Sequence, residues 1–179
     1  ENNVIYEGFD LLFIAIAAPQ ITQMQIELPN EFKEKLSCIK YDSIFSLILY
    51  SKEDIKLNEN KIYENIDVKD IINNSKKYLY KDFSSYVIHS TKEFANCVND
   101  KTKEDISDIF LENFEEEFQD EIKNFTIIPH LWKYANAKTS LDMPYFLNEE
   151  KNLGICGDYF NHSNMEAALL SSELLSNSI

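Results

Sequence analysis

The 27 residues at the C-terminal end constrain the fold of this chain more than any other segment. The apolar run Leu153 to Cys156 predicts a short buried strand, and Gly157-Asp158 follows it directly. After a polar turn over Tyr159 to Asn164, small residues from Met165 to Ser172 predict a helix. A strand that ends at Gly-Asp and continues as a helix brings together a carboxylate, free backbone N–H groups and the positive end of a helix dipole. The segment therefore predicts a site for a polyol or an anion.

Net charge and hydropathy argue against two classes of partner. The chain carries 17 basic and 31 acidic residues, a formal net charge of −14. Nucleic acids and anionic membranes would both repel such a chain. The longest apolar run, Leu11 to Ala18, is far shorter than the roughly 20 residues that a membrane helix requires. We therefore expect neither a nucleic-acid nor a membrane partner.

The cysteines indicate a reducing environment. Cys38, Cys97 and Cys156 are widely spaced, odd in number and without a C-x-x-C pair. Such a set predicts neither a disulfide framework nor a zinc site. We expect no metal site and a cytoplasmic location.

Hydrophobic periodicity predicts a mixed fold of the α/β class, and of the α+β type within this chain. The run from Phe9 to Gln20 predicts a strand buried on both faces of a parallel sheet and not at its edge. Amphipathic spacing predicts helices over Glu31 to Ile39 and Thr102 to Glu117. Polar composition predicts connecting segments over Lys52 to Tyr63 and Ser75 to Lys81. An antiparallel sheet with helices on one side is predicted from four strands, at Tyr41 to Tyr50, Asp70 to Asn73, Ser85 to Ser90 and Phe125 to Pro129.

A second motif, His130-Leu131-Trp132-Lys133-Tyr134-Ala135, follows the last of these strands. Strand alternation places His130, Trp132 and Tyr134 on one face, where they form a wall suited to a planar, partly aromatic substrate. The alternative is that this stripe is an ordinary amphipathic sheet surface whose tryptophan, the only one in the chain, packs in the core. His89, at the end of a predicted strand, is interpreted as a structural histidine. The chain has no G-x-S-x-G sequence, the pattern that would indicate a serine hydrolase.

Three segments resemble one family, the renalase-like FAD oxidoreductases of the amine oxidase superfamily. Gly157-Asp158 and the helix after it resemble the C-terminal flavin-binding segment of that family. His130 to Ala135 resembles its His-Arg-Trp-Arg-Tyr-Ala segment, at the family's spacing before Gly-Asp. Asp10 to Gln20 resembles its Phe-Asp, apolar strand and Ile-Pro-Ala-Pro-Gln segment.

The resemblance implies a domain organisation and a set of site residues. Residues 1–22 would be a strand of the FAD domain, 23–135 an antiparallel substrate-binding domain, and 136–179 the last strand and C-terminal helix of the Rossmann-like FAD domain. The implied cofactor-binding residues are Gly157, Asp158, Asn164 and Met165, with Asp158 on a ribityl hydroxyl and the backbone at Asn164 and Met165 near the flavin ring. The implied substrate-facing residues are His130, Trp132 and Tyr134. No catalytic residue is assigned.

The implied activity is oxidation of a small amine or a misreduced nicotinamide dinucleotide by hydride transfer to FAD, with oxygen as electron acceptor. The chain lacks the G-x-G-x-x-G that binds a dinucleotide pyrophosphate and has only three glycines, Gly8, Gly154 and Gly157. We therefore expect the C-terminal half of a larger enzyme, inactive without the N-terminal FAD-binding half as its partner. The alternative is a non-catalytic interaction or scaffold domain that keeps the fold without FAD, because Ala167 and Ser172 replace two helix glycines of the family.

Overall fold

The computed structural model describes residues 6–78, 83–114 and 116–179, which form two compact units. The first unit combines Glu1–Tyr41 with Asn136–Ile179, and the second unit is Asp42–Ala135. In chain order the elements are β1 (Leu12–Ile14), α1 (Ala18–Gln23), α2 (Asn30–Ser37), β2 (Tyr41–Ser51), α3 (Glu59–Tyr63), β3 (Val68–Asn73), α4 (Asn74–Tyr78), β4 (Ser84–Ser90), α5 (Lys92–Val98), α6 (Lys103–Glu112), α7 (Glu116–Ile122), β5 (Thr126–Ala137), β6 (Phe146–Asn148), β7 (Leu153–Ile155) and α8 (Met165–Ser176). Two sheets packed with helices confirm the α+β class.

The first unit contains a three-stranded sheet in the order β1-β7-β6. Strand β7 lies in the middle, parallel to β1 and antiparallel to β6, and its three residues are all buried. Helix α8 packs against it closely, because a Cβ added at Gly154 would lie 2.9 Å from Leu175 Cδ2 and 2.6 Å from the Phe13 ring. The predicted strand and helix of the C-terminal segment are confirmed. The predicted polar turn begins instead with two core residues, Tyr159 and Phe160.

The N-terminal strand differs from its prediction in length and burial. Only Leu12 to Ile14 are extended, and Leu12 and Phe13 are 52% and 46% exposed. Strand β1 is also an edge of the described sheet. Helix α1 follows at Ala18 because Pro19 lies in its first turn, where the fixed φ of proline favours a helix start.

Residues 23–41, predicted as part of the substrate domain, belong to the first unit and contribute to its core. Phe32 and Leu36 on α2 are buried, and the Phe32 ring stacks on Phe146 with 3.9 Å between centroids. Amphipathic α2 therefore covers the small sheet. The chain enters the second unit at Asp42 and returns to the first unit after Ala135.

The second unit contains a four-stranded sheet in the order β3-β4-β2-β5. Strand β4 pairs antiparallel with both β2 and β3, so that Ile88 lies opposite Leu47 and Ile71. One face of this sheet is buried against α5, α6 and α7, with the rings of Phe45 and Phe110 in edge contact. We call the other face the open face of the second sheet.

Two helix predictions in the second unit need correction. The single helix expected over Thr102 to Glu117 is two helices, because α6 ends at Glu112 with Asn113 as its C-cap, and buried Phe114 packs in the core before α7 begins. Helices α3, α4 and α5 were missed. Thr91 caps α5 by accepting a bond from Phe94 N–H, a capping signal that the sequence carried. Residues 79–81 and 115 of the predicted segments lie outside the described residues.

Candidate functional site

The predicted site residues fall into two groups on different units. His130, Trp132 and Tyr134 end the second unit, whereas the four predicted cofactor residues lie in the first.

The predicted aromatic wall lies on the open face of the second sheet. His130, Trp132 and Tyr134 are all exposed, and the alternate residues Ile127 and Leu131 pack against the core. The rings of His130 and Trp132 are 4.2 Å apart and meet edge to face. Trp132 is 50% exposed, so it is not the core residue of the alternative interpretation.

A row of polar side chains crosses the same face. Trp132 Nε1–H donates to Ser46 Oγ at 3.0 Å, and Ser46 Oγ lies 2.7 Å from His89 Nδ1. The strand register pairs His89 with Ser46 on one side and with Asp70 on the other. We call these four residues, one from each strand, the open-face row.

A cavity of about 410 Å³ lies beside this row. Its lining combines two aromatic rings, an imidazole, one residue of each charge and small or branched apolar residues, namely Ile44, Lys69, Asp70, Ile72, His89, Trp132, Tyr134 and Ala135. Apolar walls with a few polar groups are typical of small-molecule sites. We call it the Trp132 cavity, and its walls suit a planar ring with a polar or cationic edge.

The pKa of His89, one of the residues lining this cavity, is shifted by its surroundings. Partial burial lowers the pKa of His89, Asp70 opposes that effect, and Lys69 adds to it. A lowered pKa favours the neutral imidazole at neutral pH. The residue interpreted from sequence as structural therefore lines a cavity.

Sequence analysis missed Ser46 and Asp70 altogether. Ser46 lies between the core residues Phe45 and Leu47, and alternation alone predicts that it points away from the core. Its partners could not be found in this way, because a cross-strand register is set by tertiary pairing.

In the first unit, Asp158 lies just beyond β7 and is partly buried. Tyr41 O–H donates to Asp158 Oδ1 at 3.4 Å, and the backbone N–H of Ala18 donates to the Tyr41 hydroxyl at 3.3 Å. Burial raises the pKa of Tyr41, and the charge of Asp158 raises it further. Tyr41 is therefore a neutral donor that ties Asp158 to the start of α1.

The turn after β7 and the start of α8 are held by specific bonds. Gly157 N–H donates to the buried Ser171 Oγ at 3.3 Å. The side chain of Asn164 caps α8 by accepting the Ala167 N–H at 2.7 Å. Met165, the first helical residue, has an 88% exposed side chain. The Asn164 side chain is thus committed to the cap.

These groups fit the contacts that the resemblance implies for a flavin cofactor. A carboxylate can accept about four hydrogen bonds, so Asp158 can accept a polyol hydroxyl besides that of Tyr41. The first N–H groups of a helix have no intrahelical partner and carry partial positive charge, which suits the electron-rich edge of a flavin. A second cavity in this unit, about 450 Å³ in volume, is lined by Ala167 and Ser171 but by none of the four predicted cofactor residues.

Three further observations bear on the class of protein. In residues 6–78, 83–114 and 116–179, no group of three His, Cys, Asp or Glu side chains is placed to bind a metal ion. None of the helices described has the length and hydropathy of a membrane span. Comparison with protein-family models and with curated proteins finds no match to this chain.

Proposed function

We propose that this chain is part of a flavin-dependent oxidoreductase that oxidises a small amine or a misreduced nicotinamide dinucleotide, with oxygen as the electron acceptor. The Trp132 cavity is the observation that carries the proposal. Trp132 and Tyr134 offer aromatic surface to a planar substrate. The carboxylate of Asp70, which also lies 3.4 Å from Lys69 Nζ in a half-exposed pair, can attract a positive charge at the substrate's edge. An amine carries this charge when it is protonated, and a dihydronicotinamide ring acquires it as the hydride leaves.

The first unit supplies the cofactor contacts in this proposal. FAD, when bound, would supply the ring that accepts the hydride. Asp158 would accept a hydrogen bond from a ribityl hydroxyl, and Gly157 would form the turn that places this carboxylate. Asn164 would hold the first turn of α8 in place by its cap, so that the backbone N–H of Met165 meets the flavin edge.

An exposed apolar surface supports the expectation of a further FAD-binding half. In the first unit, exposed apolar side chains occur on β1 and α8, at Leu12, Phe13, Leu169, Leu170 and Leu174. Leu170 and Leu174 lie one turn apart on α8, and large apolar side chains exposed side by side are typical of interfaces. The N-terminal half of the enzyme would cover this surface and complete the FAD site.

The same surface supports the second candidate, a non-catalytic interaction domain. In that case a protein partner covers β1 and α8, and no flavin is bound. For both candidates we propose a location in the cytoplasm, a reducing compartment, because Cys38, Cys97 and Cys156 are all free.

Flavin absorbance of the intact protein, with whatever sequence flanks these 179 residues, tests the proposal. We expect stoichiometric FAD in the intact protein and no tight FAD complex of the 179 residues alone. Intact protein that is purified without flavin, and that added FAD does not reconstitute, would overturn the proposal in favour of the interaction domain.

A further inference from the structure

Ser46 joins two residues of the Trp132 cavity while contributing almost no surface itself. It is 1% exposed, between the indole of Trp132 and the imidazole of His89. Its hydroxyl oxygen lies within hydrogen-bond distance of a nitrogen of each ring.

The chemistry of the three groups fixes where the protons lie. An indole N–H can only donate, so Ser46 Oγ is the acceptor in the bond from Trp132. If Ser46 O–H donates to His89 Nδ1, the indole N–H and the buried hydroxyl hydrogen both have acceptors, and the imidazole hydrogen is on Nε2, away from Ser46. If His89 Nδ1–H donated instead, the buried hydroxyl hydrogen would have no acceptor among the described residues, and such a group costs free energy.

We propose that Ser46 is a positioning residue. Its hydroxyl holds His89 as the Nε2–H tautomer by donating to Nδ1, and it holds the Trp132 indole by accepting the indole N–H. The Trp132 cavity then presents a neutral imidazole N–H donor beside the carboxylate of Asp70. It suits a planar ligand with both a hydrogen-bond acceptor and a positive charge at its edge. The role toward a ligand rests on the proposed function, whereas the tautomer does not.

Ser46 is not placed to act as a nucleophile. Its contact with an imidazole resembles that of an activated serine, but Ser46 is covered and one of its lone pairs accepts the indole N–H. A substrate carbon in the cavity could not reach Oγ. Ser46 therefore acts through His89 and Trp132.

Several charged and titratable groups face His89 from the neighbouring strands. Lys69 and Asp70 lie on β3, and Tyr134 lies across the cavity on β5, with His130 beyond the indole of Trp132. Ser46, from β2, provides the hydrogen-bond partner of Nδ1.

Nuclear magnetic resonance of the full chain, labelled with ¹⁵N-histidine, tests the proposal without flavin. We expect only the Nε2–H tautomer for His89 at neutral pH, with the signal assigned by its loss in His89→Gln. In Ser46→Ala we expect a mixture of tautomers and a shifted Trp132 indole N–H signal. Ser46→Thr, which keeps a hydroxyl, should restore the single tautomer.

Ser43→Ala is the matched control, because Ser43 also joins β2 to β5, through the Lys133 carbonyl, but contacts neither ring. We expect it to leave both signals unchanged. The Nδ1–H tautomer in the native protein, or native signals in a folded Ser46→Ala, would overturn the proposal. If Ser46→Ala does not fold, the tautomer of His89 in the native protein and in Ser46→Thr still tests the proposal. FAD content is measured separately, so failure of this proposal is distinguishable from failure of the proposed function.

Discussion

At the scale of single residues, polar atoms on the open face of the second sheet satisfy one another across strands. Ser46 takes the indole N–H of Trp132 and contacts His89, whose neighbour on the far side is Asp70. In the first unit, Tyr41 in the same way joins Asp158 to α1. The first arrangement orients the imidazole of His89, and the second orients the carboxylate of Asp158.

His89 gives the second unit a pH-dependent stability. Burial lowers its pKa in the folded chain, whereas an unfolded chain has the ordinary histidine pKa near 6.5. As pH falls, the unfolded chain therefore binds the proton first. The stability that neutral His89 contributes is present above about pH 6.5 and is lost as pH falls toward the pKa of His89 in the folded chain. We expect the difference in urea midpoint between the native chain and His89→Gln to shrink from about pH 7.5 to about pH 5.

Comparing the urea midpoints of the native chain and His89→Gln cancels the effect of the many carboxylates, which are present in both proteins. His162→Gln, at an exposed histidine of the first unit, is the control and should parallel the native chain. A difference that stays constant over this pH range would show that His89 does not couple protonation to folding.

Asp158 is the residue on which the cofactor proposal makes a direct prediction. Asp158→Ala in the intact protein should weaken FAD retention by roughly 1.5–3 kcal/mol, the range for a hydrogen bond to a charged group. The measurement is the FAD dissociation constant from quenching of flavin fluorescence. Asp142→Ala removes an exposed carboxylate of the same unit and should leave that constant unchanged. Equal affinity in the two variants would make Asp158 only a turn residue.

At the scale of elements, α8 is fixed near both of its ends. Asn164 caps its first turn, and the Gly154 contact with Leu175 sets its distance from β7. Ala167 and Ser172 stand where the renalase-like family that the sequence resembles has two glycines. Ala167 is buried, whereas Ser172 is exposed and its hydroxyl donates to the Leu169 carbonyl. The substitutions are therefore compatible with close packing of α8 on β7.

Removal of the α8 cap should loosen the first turn of the helix. We expect Asn164→Ala to cost about 1 kcal/mol, as loss of an N-cap generally does, and to speed amide hydrogen exchange at Ala167 and Ala168. Asn164→Asp keeps an acceptor oxygen and should retain native exchange rates. Slow exchange in Asn164→Ala would contradict the assignment of Asn164 as the cap.

At the scale of the whole molecule, the two units differ in how the chain builds them. The second unit is one continuous segment, whereas the first combines residues from both ends of the sequence. The second unit also has its own core, which includes Phe45, Leu47, Ile88 and Phe110. A continuous segment with its own core can fold alone.

Residues 42–135 expressed alone should therefore fold. We expect dispersed amide resonances and one cooperative urea transition. Phe110→Ala in this fragment is the control, because loss of a fully buried phenylalanine costs about 3–5 kcal/mol and should abolish or sharply shift the transition. A broad, non-cooperative transition in the unsubstituted fragment would show that this core depends on the rest of the chain.

The amino-acid sequence by itself determined the α+β class, the strand, Gly-Asp turn and helix at the C-terminal end, and the shared face of His130, Trp132 and Tyr134. Those features depend on local periodicity and capping, which neighbouring residues encode. Only the tertiary structure decided that residues 23–41 join the first unit and that Phe114 separates α6 from α7. It also decided that Asp70, His89, Ser46 and Trp132 form one row. The physical reason is that strand register and core packing depend on residues far apart in sequence, so no local pattern could place Ser46 between His89 and Trp132.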